Sequence, residues 1–141
     1  LDIKPSSSLL ILHLSSLKNG QFSKDSISAA LNGLNTVYEE KGLFTVLDPN
    51  ENIAFSIING KKPGTFLEDN TSDDIALVLD PVNLPSPLES FDLLIQTSQS
   101  LKEIFECEVL DEDMNLLTKQ MIEHMKQQVI EYRRQHLAST G

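Results

Sequence analysis

Short aliphatic runs, each bounded by polar or turn-forming residues, predict the strands of this chain. Residues 9–14 are aliphatic except for His13, and a Lys-Asn-Gly turn follows them, which is typical of a buried strand. Residues 43–47 and 53–58 are expected to form a hairpin through a turn that contains Pro49. Further strands are predicted at residues 75–79, 107–110 and 114–117, the last two as a second, short hairpin.

Apolar residues that recur at helical spacing predict three helices. The first is expected to begin near Ser23 and to end at Gly42, the second to be capped by Ser86, and the third to begin after Thr118. Their apolar faces are Ile27, Ala30, Leu31, Leu34 and Tyr38; Phe91, Leu94, Ile95, Leu101 and Phe105; and Ile122, Met125, Val129 and Tyr132. The element order β-α-β-β-β-α-β-β-α predicts an α+β fold with a largely antiparallel sheet.

The size and composition of the chain indicate one compact domain. It has 141 residues, of which 40% are hydrophobic, enough for a single core. We expect the domain to span residues 9–137, after a flexible lead-in at residues 1–8 that derives from a linker and before a flexible tail at residues 138–141. Because the chain starts at Leu1 without a methionine or a signal sequence, we expect it to be part of a longer protein.

Charge and apolar run length exclude several classes of partner. The formal net charge is −10, so the surface repels phosphate backbones and anionic membranes, and no nucleic-acid partner is expected. The longest apolar runs are far shorter than the roughly 20 residues that span a bilayer. The single cysteine, Cys107, cannot form an internal disulfide, fits a reducing compartment and is interpreted as a small buried side chain.

Candidate catalytic and metal-binding patterns are weak. The three histidines share no ligand spacing, the acidic loops lack the EF-hand pattern, and no serine stands in a Gly-x-Ser-x-Gly elbow. We therefore expect no metal, no cofactor and no enzymatic activity. The basic turn at residues 60–66 lacks Walker spacing and is interpreted as a Pro-Gly turn, although an enzyme that uses Lys61 and Lys62 on a phosphate substrate stays as an alternative.

Alternate residues of the predicted strands are apolar on both faces of the sheet. In residues 9–14 and 75–79, aliphatic side chains occupy both phases of the period-two alternation. Three helices packed on one side would leave an exposed apolar strip on the other, and such strips usually mark binding sites. Alternatively, helices cover both faces, and periodicity alone does not distinguish these arrangements.

Several motifs resemble one known family. They are Lys62-Pro63-Gly64-Thr65-Phe66 after a strand, the aliphatic strand that ends at Pro81, Phe91-x-Leu93 with Gln96-x-Ser98-Gln99, and Val109-Leu110-Asp111 before Thr118. In content, order and spacing, residues 9–133 resemble the C-terminal FtsZ-binding domain of the bacterial cell-division protein ZipA. The resemblance implies a split β-α-β fold: a six-stranded antiparallel sheet with three helices on one face and the other face open.

The same resemblance implies a function. Members of the family bind the C-terminal tail of the tubulin-like protein FtsZ in a shallow hydrophobic groove on the open face. They act as adaptors that tether division filaments to the cytoplasmic side of the inner membrane, through an N-terminal anchor that this chain lacks. We accordingly expect a monomeric, non-enzymatic cell-division adaptor. A small-molecule-binding regulatory domain of split β-α-β type is the alternative.

The resemblance also implies which residues form the groove. Carried over by position, they are Leu9, Ile11, Lys41, Leu43, Ser56, Ile58, Gly60, Ile75, Leu77, Leu79 and, at the rim, Met114. Lys62 would stand beside the groove and pair with an acidic residue of the tail. Lys41, Gly60 and Leu77 replace bulky residues of well-known members, and Met114 replaces a basic one, so a groove with less anchoring volume is expected. Residues 1–3, Leu-Asp-Ile, look like the core of an FtsZ tail.

Overall fold

The computed structural model describes residues 9–16, 21–61, 64–66 and 71–140, except for the side chains of residues 83 and 136–140. The strands are β1 (Leu10–Ser15), β2 (Thr36–Tyr38), β3 (Phe44–Leu47), β4 (Ile53–Asn59), β5 (Asp74–Leu79) and β6 (Glu108–Leu110). The helices are α1 (Lys24–Ala30), α2 (Pro87–Phe105) and α3 (Lys119–Thr140), and a 3-10 turn at Pro81–Asn83 precedes α2.

All six strands form one antiparallel sheet in the order β2-β3-β4-β5-β1-β6. At its centre β5 pairs with β1 through Leu77 and Leu12, and with β4 through Leu77 and Ile57. The six-stranded antiparallel sheet and the three helices confirm the predicted α+β fold.

The helices cover one face of the sheet, and the core lies between the two layers. Leu12 and Leu14 of β1, Ile57 of β4 and Leu77 of β5 are completely buried there. Helix α2 contributes Phe91, Leu94, Leu101 and Phe105 to the same core, and α3 contributes Val129. Because side chains alternate along a strand, every second residue of these strands points to the opposite face. We call the two sides the helix-covered face and the open face.

The helix starts follow from local capping chemistry. Ser23 caps α1 in a capping box, since its Oγ accepts a hydrogen bond from the Ser26 amide and Ser26 Oγ accepts one from the Ser23 amide. Thr118 caps α3 as predicted, with its Oγ1 accepting from the Met121 amide at 3.1 Å. The capping role predicted for Ser86 is wrong: it occupies the N-cap of α2, but its side chain makes no capping hydrogen bond.

The first helix is much shorter than predicted. It ends at Ala30, and Gly33 then takes a left-handed φ of 101°, which starts a reversal of the chain. Residues Thr36–Tyr38 form strand β2, which pairs with β3, instead of the last turns of a helix. The β-branched residues Thr36 and Val37 favour a strand. The ring of Tyr38 packs edge-on against the ring of Phe44, with 5.1 Å between the ring centroids. Tyr38 therefore lies in the sheet although its spacing in the sequence fits a helix.

The predicted second hairpin is reduced to one strand and a single bridge. β6 covers Glu108–Leu110, and its would-be partner contributes only the isolated pair of Leu116 with Leu110. Asp111 Oδ1 accepts from the amides of Asp113 and Asn115, which closes a tight turn where the strand stops. At the chain end, α3 continues to Thr140, three residues past the expected boundary at residue 137. The lead-in predicted at residues 1–8 lies outside the described residues.

Candidate functional site

The open face consists of side chains that lie in rows across the strands. The first row follows the strand pairings from β2 to β1 and contains Val37, Thr45, Ser56, Val78 and Ile11. Its two ends are apolar, and its middle is made of small residues. The protein surface along this row is therefore lower over the small residues of the middle than over Val37 and Ile11 at its two ends.

The second row lies next to the first and is more apolar. From β4 to β6 it contains Ile58, Ala76, His13 and Leu110. Leu110 bridges to Leu116, whose side chain is 59% exposed, so the apolar surface extends past the edge strand. On the other side, continuing the β3–β4 register sets Leu43 opposite Ile58.

The floor of this face is built from small side chains. Ala76 is 3% exposed although no helix layer covers it, because larger neighbours such as Ile58 flank it. Thr45 in the first row is buried as well. A hollow of about 240 Å³ lies nearer the Asp80 end of β5, lined by Ala54, Ser56 and Val78 together with Ile53, Phe55, Asp80 and Leu84. The face is therefore a shallow groove with apolar walls.

Six of the residues predicted for the groove lie on the open face. Ile11, Ser56 and Ile58 sit in its central rows, and each is partly exposed. Leu9, Leu43 and Gly60 follow by strand alternation at the strand ends. These residues lie on, or directly next to the ends of, three strands, β1, β3 and β4. In the sheet, β3 and β4 lie on one side of β5 and β1 lies on the other.

The three groove residues predicted from β5 are wrongly assigned. Ile75, Leu77 and Leu79 are each fully buried and belong to the core. They share the phase of Leu12 and Ile57, their partners on the neighbouring strands, and so point toward the helices. The large aliphatic side chains fill the space under α2, and the smaller residues of the strand are left for the open face.

Three further predicted residues lie away from the strands. Lys41 is in the exposed turn between β2 and β3 and not on a strand, since the Gly42 amide donates to the Glu39 carbonyl there. Met114 lies in the turn after β6 with a left-handed φ of 66°, and 49% of it is exposed. Its predicted position at the rim of the groove stays a prediction. Lys62 lies outside the described residues, and so does the Leu-Asp-Ile segment at residues 1–3.

Residues that sequence reasoning missed are Ala76 and Val78 of β5, and Leu110 and Leu116 at the far edge. A signal for the first two is present in the sequence, because Asp74 and Asp80 share their phase. Charged residues at both ends of one phase indicate the solvent side of a strand. No comparable signal marks Leu110 and Leu116, whose pairing depends on where the turn falls.

The groove ends in a polar third row of Gly60, Asp74, Ser15 and Glu108. The amide of Gly60 donates to the carbonyl of Asp74 at 2.9 Å, and the carboxylate of Asp74 faces His13 from the second row. Burial raises the pKa of Asp74 from its ordinary value, against the attraction of His13. The open face thus combines an apolar groove with one charged end.

The basic turn beside this end has a structural role. Lys61 Nζ lies 2.5 Å from Asp73 Oδ1, and this hydrogen bond lowers the pKa of Asp73. The amide of Gly64, at φ 90°, donates to the Lys61 carbonyl, and Phe66 is fully buried with its amide bound to the Gly42 carbonyl. Lys61 therefore already has a carboxylate partner, which weakens the interpretation of this turn as a phosphate cradle.

Other candidate chemistry is sparse in the described part of the chain. No group of three or more potential metal ligands occurs among the described residues. Within the same residues, no helix is long and apolar enough to cross a membrane. Cys107 is 6% exposed, as predicted for a small buried side chain, and burial raises its pKa to about 11, so the thiol stays protonated at neutral pH.

A larger cleft of about 460 Å³ lies beside the groove, between the edge of β1 and α3, and shares Ile11 with it. Its walls include Leu10, Met121 and Met125, and Asp111, Glu112 and Asp113 form its acidic rim. Its size would suit a small molecule. The open face is the better candidate for a peptide, because its partly exposed apolar residues Ile11, Ile58, Val78 and Leu110 come from four strands.

The structure is an α+β domain with helices on one face of its sheet and an open, shallow groove on the other. The family model for the C-terminal FtsZ-binding domain of ZipA matches residues 8–128, nearly the whole chain. The chain therefore belongs to the family of ZipA C-terminal FtsZ-binding domains.

Similarity to individual relatives agrees with this assignment. The chain is 33% identical over 96 residues to the cell division protein ZipA of Pseudomonas fluorescens strain SBW25, which covers 62% of this chain and 32% of the relative. It is 35% identical over 92 residues to ZipA of Pseudomonas aeruginosa strain LESB58, with the same two shares. The chain thus spans about a third of the length of these curated relatives.

Proposed function

We propose that the open face of the sheet binds the C-terminal tail of FtsZ and that the domain is a non-enzymatic adaptor in cell division. The observation that carries the proposal is the apolar groove on the face that the helices leave free, in a chain of the FtsZ-binding family. Ile11 and Ile58 form its walls. Hydrophobic docking grooves of this type obtain most of their affinity from a few buried apolar anchors.

The shape of the groove suggests how a tail segment docks. The small floor residues Ser56 and Ala76 leave room for aliphatic side chains of a bound segment between the larger side chains around them. Each aliphatic side chain that becomes fully buried contributes on the order of 1.5–3 kcal/mol. With Gly60 at one end and no bulky residue in the middle, we expect a shallow site and a moderate affinity.

The adaptor role also requires a link to the membrane, and this part of the proposal concerns the whole protein. The relatives are about three times as long as the matched segment. We propose that an anchor outside residues 1–141 holds the domain at the cytoplasmic face of the inner membrane, where the domain acts as a monomer. Met114 and Lys62 are proposed to border the groove, with Lys62 pairing with an acidic residue of the tail.

The proposal is tested by isothermal titration of the chain with a synthetic C-terminal peptide of FtsZ from the same organism. The key variant is Ile58→Asp, which introduces a carboxylate into the middle of the groove. We expect its affinity to fall by about tenfold or more, because a bound tail would bury an unpaired charge.

The matched control is Ile104→Asp, the same substitution at a side chain of α2 that is 53% exposed. We expect this variant to bind like the wild type. Equal affinity of Ile58→Asp and Ile104→Asp for the peptide, or no binding to the wild type, would contradict the proposal.

A small-molecule regulatory domain is the second candidate, and the 460 Å³ cleft beside α3 is the observation that favours it. A thermal-shift screen against a metabolite panel tests this candidate. Stabilisation by a metabolite that Met125→Lys abolishes, in the absence of any response to the FtsZ peptide, would replace the first proposal with the second.

A further inference from the structure

His13 and Asp74 form a polar pair at one end of the otherwise apolar groove. His13 Nδ1 lies 3.3 Å from both carboxylate oxygens of Asp74, and the two side chains are only 17% and 14% exposed. In the same row as His13 stand Ala76 and Leu110, both apolar. Neither the fold nor apolar docking requires a charged group here.

The absence of a side chain at Gly60 leaves room for this pair. A Cβ atom on Gly60 would lie 2.2 Å from Asp74 Oδ2 and 2.6 Å from Asp74 Cγ, closer than side chains approach one another. The backbone of Gly60 is not in the left-handed region, so its conformation does not demand glycine. The notch at Gly60 is therefore the space that the Asp74 carboxylate occupies when it faces His13.

His13 is the side chain that contacts the Asp74 carboxylate among the described residues. Lys61 lies 2.5 Å from Asp73, the charges of both also act on Asp74, and Glu108 lies across the sheet opposite Ser15. The backbone of Asp74 is fixed as well, because Ser72 Oγ donates to its carbonyl and accepts from its amide. The Asp74 carboxylate therefore contacts His13 from one side. The backbone of Asp74 is itself held by hydrogen bonds with Ser72 and Gly60.

This arrangement determines which nitrogen of His13 can meet a ligand. Because the carboxylate accepts a hydrogen bond from Nδ1–H, the neutral imidazole carries its lone pair on Nε2 and can accept a hydrogen bond there. A protonated imidazole has an N–H at Nε2 and can only donate. The chemistry at this end of the groove therefore depends on the protonation of one side chain.

We propose that His13, oriented by Asp74, is a specificity-determining residue of the groove and accepts a hydrogen bond at Nε2 from a hydroxyl or N–H group on a side chain of the docked tail. The inference rests on the proposed tail-binding function. A tail with an apolar side chain opposite His13 would leave the Nε2 acceptor buried without a hydrogen bond. Such an unpaired polar group lowers affinity more than the loss of one methylene group from an apolar contact does.

The test is a double-mutant cycle measured by isothermal titration. One partner is the wild type or His13→Phe, and the other is the FtsZ tail peptide or variants in which each donor-bearing side chain is replaced in turn by an apolar one of similar size. We expect one replacement to weaken binding to the wild type about fivefold, the usual value of one hydrogen bond, and to leave binding to His13→Phe unchanged.

A second histidine separates this role from a general effect of removing an imidazole. His124→Phe, at an exposed position of α3, is the matched control and should behave like the wild type. If His13→Phe does not fold, His13→Leu, which also lacks an acceptor, takes its place, and we expect the same uncoupling from the tail donor.

The possible results distinguish the two proposals. If the tail binds but no replacement is coupled to His13, the inference about His13 is wrong and tail binding stands. If the tail does not bind the wild type, both fail. Asp74→Asn provides an internal check, since loss of the carboxylate that orients Nδ1 should weaken the coupling without removing the imidazole.

Discussion

The two faces of β5 differ in what their apolar residues do. Leu77 and Val78 are adjacent in the chain and equally hydrophobic in character, yet Leu77 is fully buried under the helices and Val78 is part of an open groove. Along the strand, Ile75, Leu77 and Leu79 share one face, and Ala76 and Val78 share the other. Apolar character alone therefore does not distinguish a core face from a binding face.

Side-chain size and the charges at the strand ends make the distinction. The helix-covered face carries the larger side chains, because a packed interior leaves no space unfilled. The open face carries the smaller ones, which create a hollow, and it begins and ends with Asp74 and Asp80. Three predictions test this comparison.

The largest effect is expected for Leu77→Asp. The carboxylate would be buried without a partner in the core, and we expect the protein to lose about 4 kcal/mol of stability or more, enough to unfold many domains of this size. Urea unfolding followed by circular dichroism measures the loss. A stable, folded Leu77→Asp variant that has lost only tail binding would show that β5 has the opposite orientation.

A smaller effect on stability and a large one on binding are expected for Val78→Asp. The new carboxylate would remain in contact with water on the open face, so stability should change by no more than about 1 kcal/mol. Affinity for the FtsZ tail should fall by about tenfold or more. The variant is the neighbour-matched control for Leu77→Asp, and the comparison fails if the two variants have the same phenotype.

The smallest effect concerns the charged end of the open face. Since burial raises the pKa of Asp74 above 3.8, the folded protein binds a proton there more readily than the unfolded chain does. The contribution of Asp74 to stability is therefore greatest at low pH and is lost as the pH rises through the raised value.

Relative to Asp74→Asn, the wild type should thus gain stability as the pH is lowered through the region just above 3.8. Urea midpoints measured at several pH values check this sign. Asp92→Asn, at an exposed position of α2, serves as the control for the general effect of removing a carboxylate. A wild type that instead loses stability relative to Asp74→Asn on acidification would contradict the assignment of Asp74 as a desolvated group.

Much of the fold could be predicted because local signals and tertiary packing agree there. The strands with long aliphatic runs and the helices after Ser86 and Thr118 lie close to their predicted bounds. The stretch between Ala30 and Phe44 could not be predicted, since Leu34 and Tyr38 fit helical spacing but both lie after the end of α1, and Tyr38 is on strand β2. The turn at Gly33 ends the first helical segment early, and the turn at Asp111 shortens the second hairpin. Short polar turns of this kind have no hydrophobic periodicity from which they could be predicted.

The groove could be predicted only in part. For β1 and β4, one phase contains His13, Ser15 and Ser56, and polar residues of this kind identify the solvent side. In β5 both phases are apolar between Asp74 and Asp80, and the resemblance to the family pointed to Ile75, Leu77 and Leu79 although the two aspartates share the phase of Ala76 and Val78. A shift of one residue moves every side chain of a strand to the other face, which is why all three β5 residues were wrong together.

Intermolecular NOEs between the bound FtsZ tail peptide and methyl groups of the isotope-labelled chain would locate the tail on the domain directly. We expect contacts from the peptide to the methyl groups of Ile11, Ile58, Ala76 and Val78, and none to Leu77 or Ile104. Contacts confined to Met121 and Met125 in the cleft beside α3, or to the helices, would contradict this expectation.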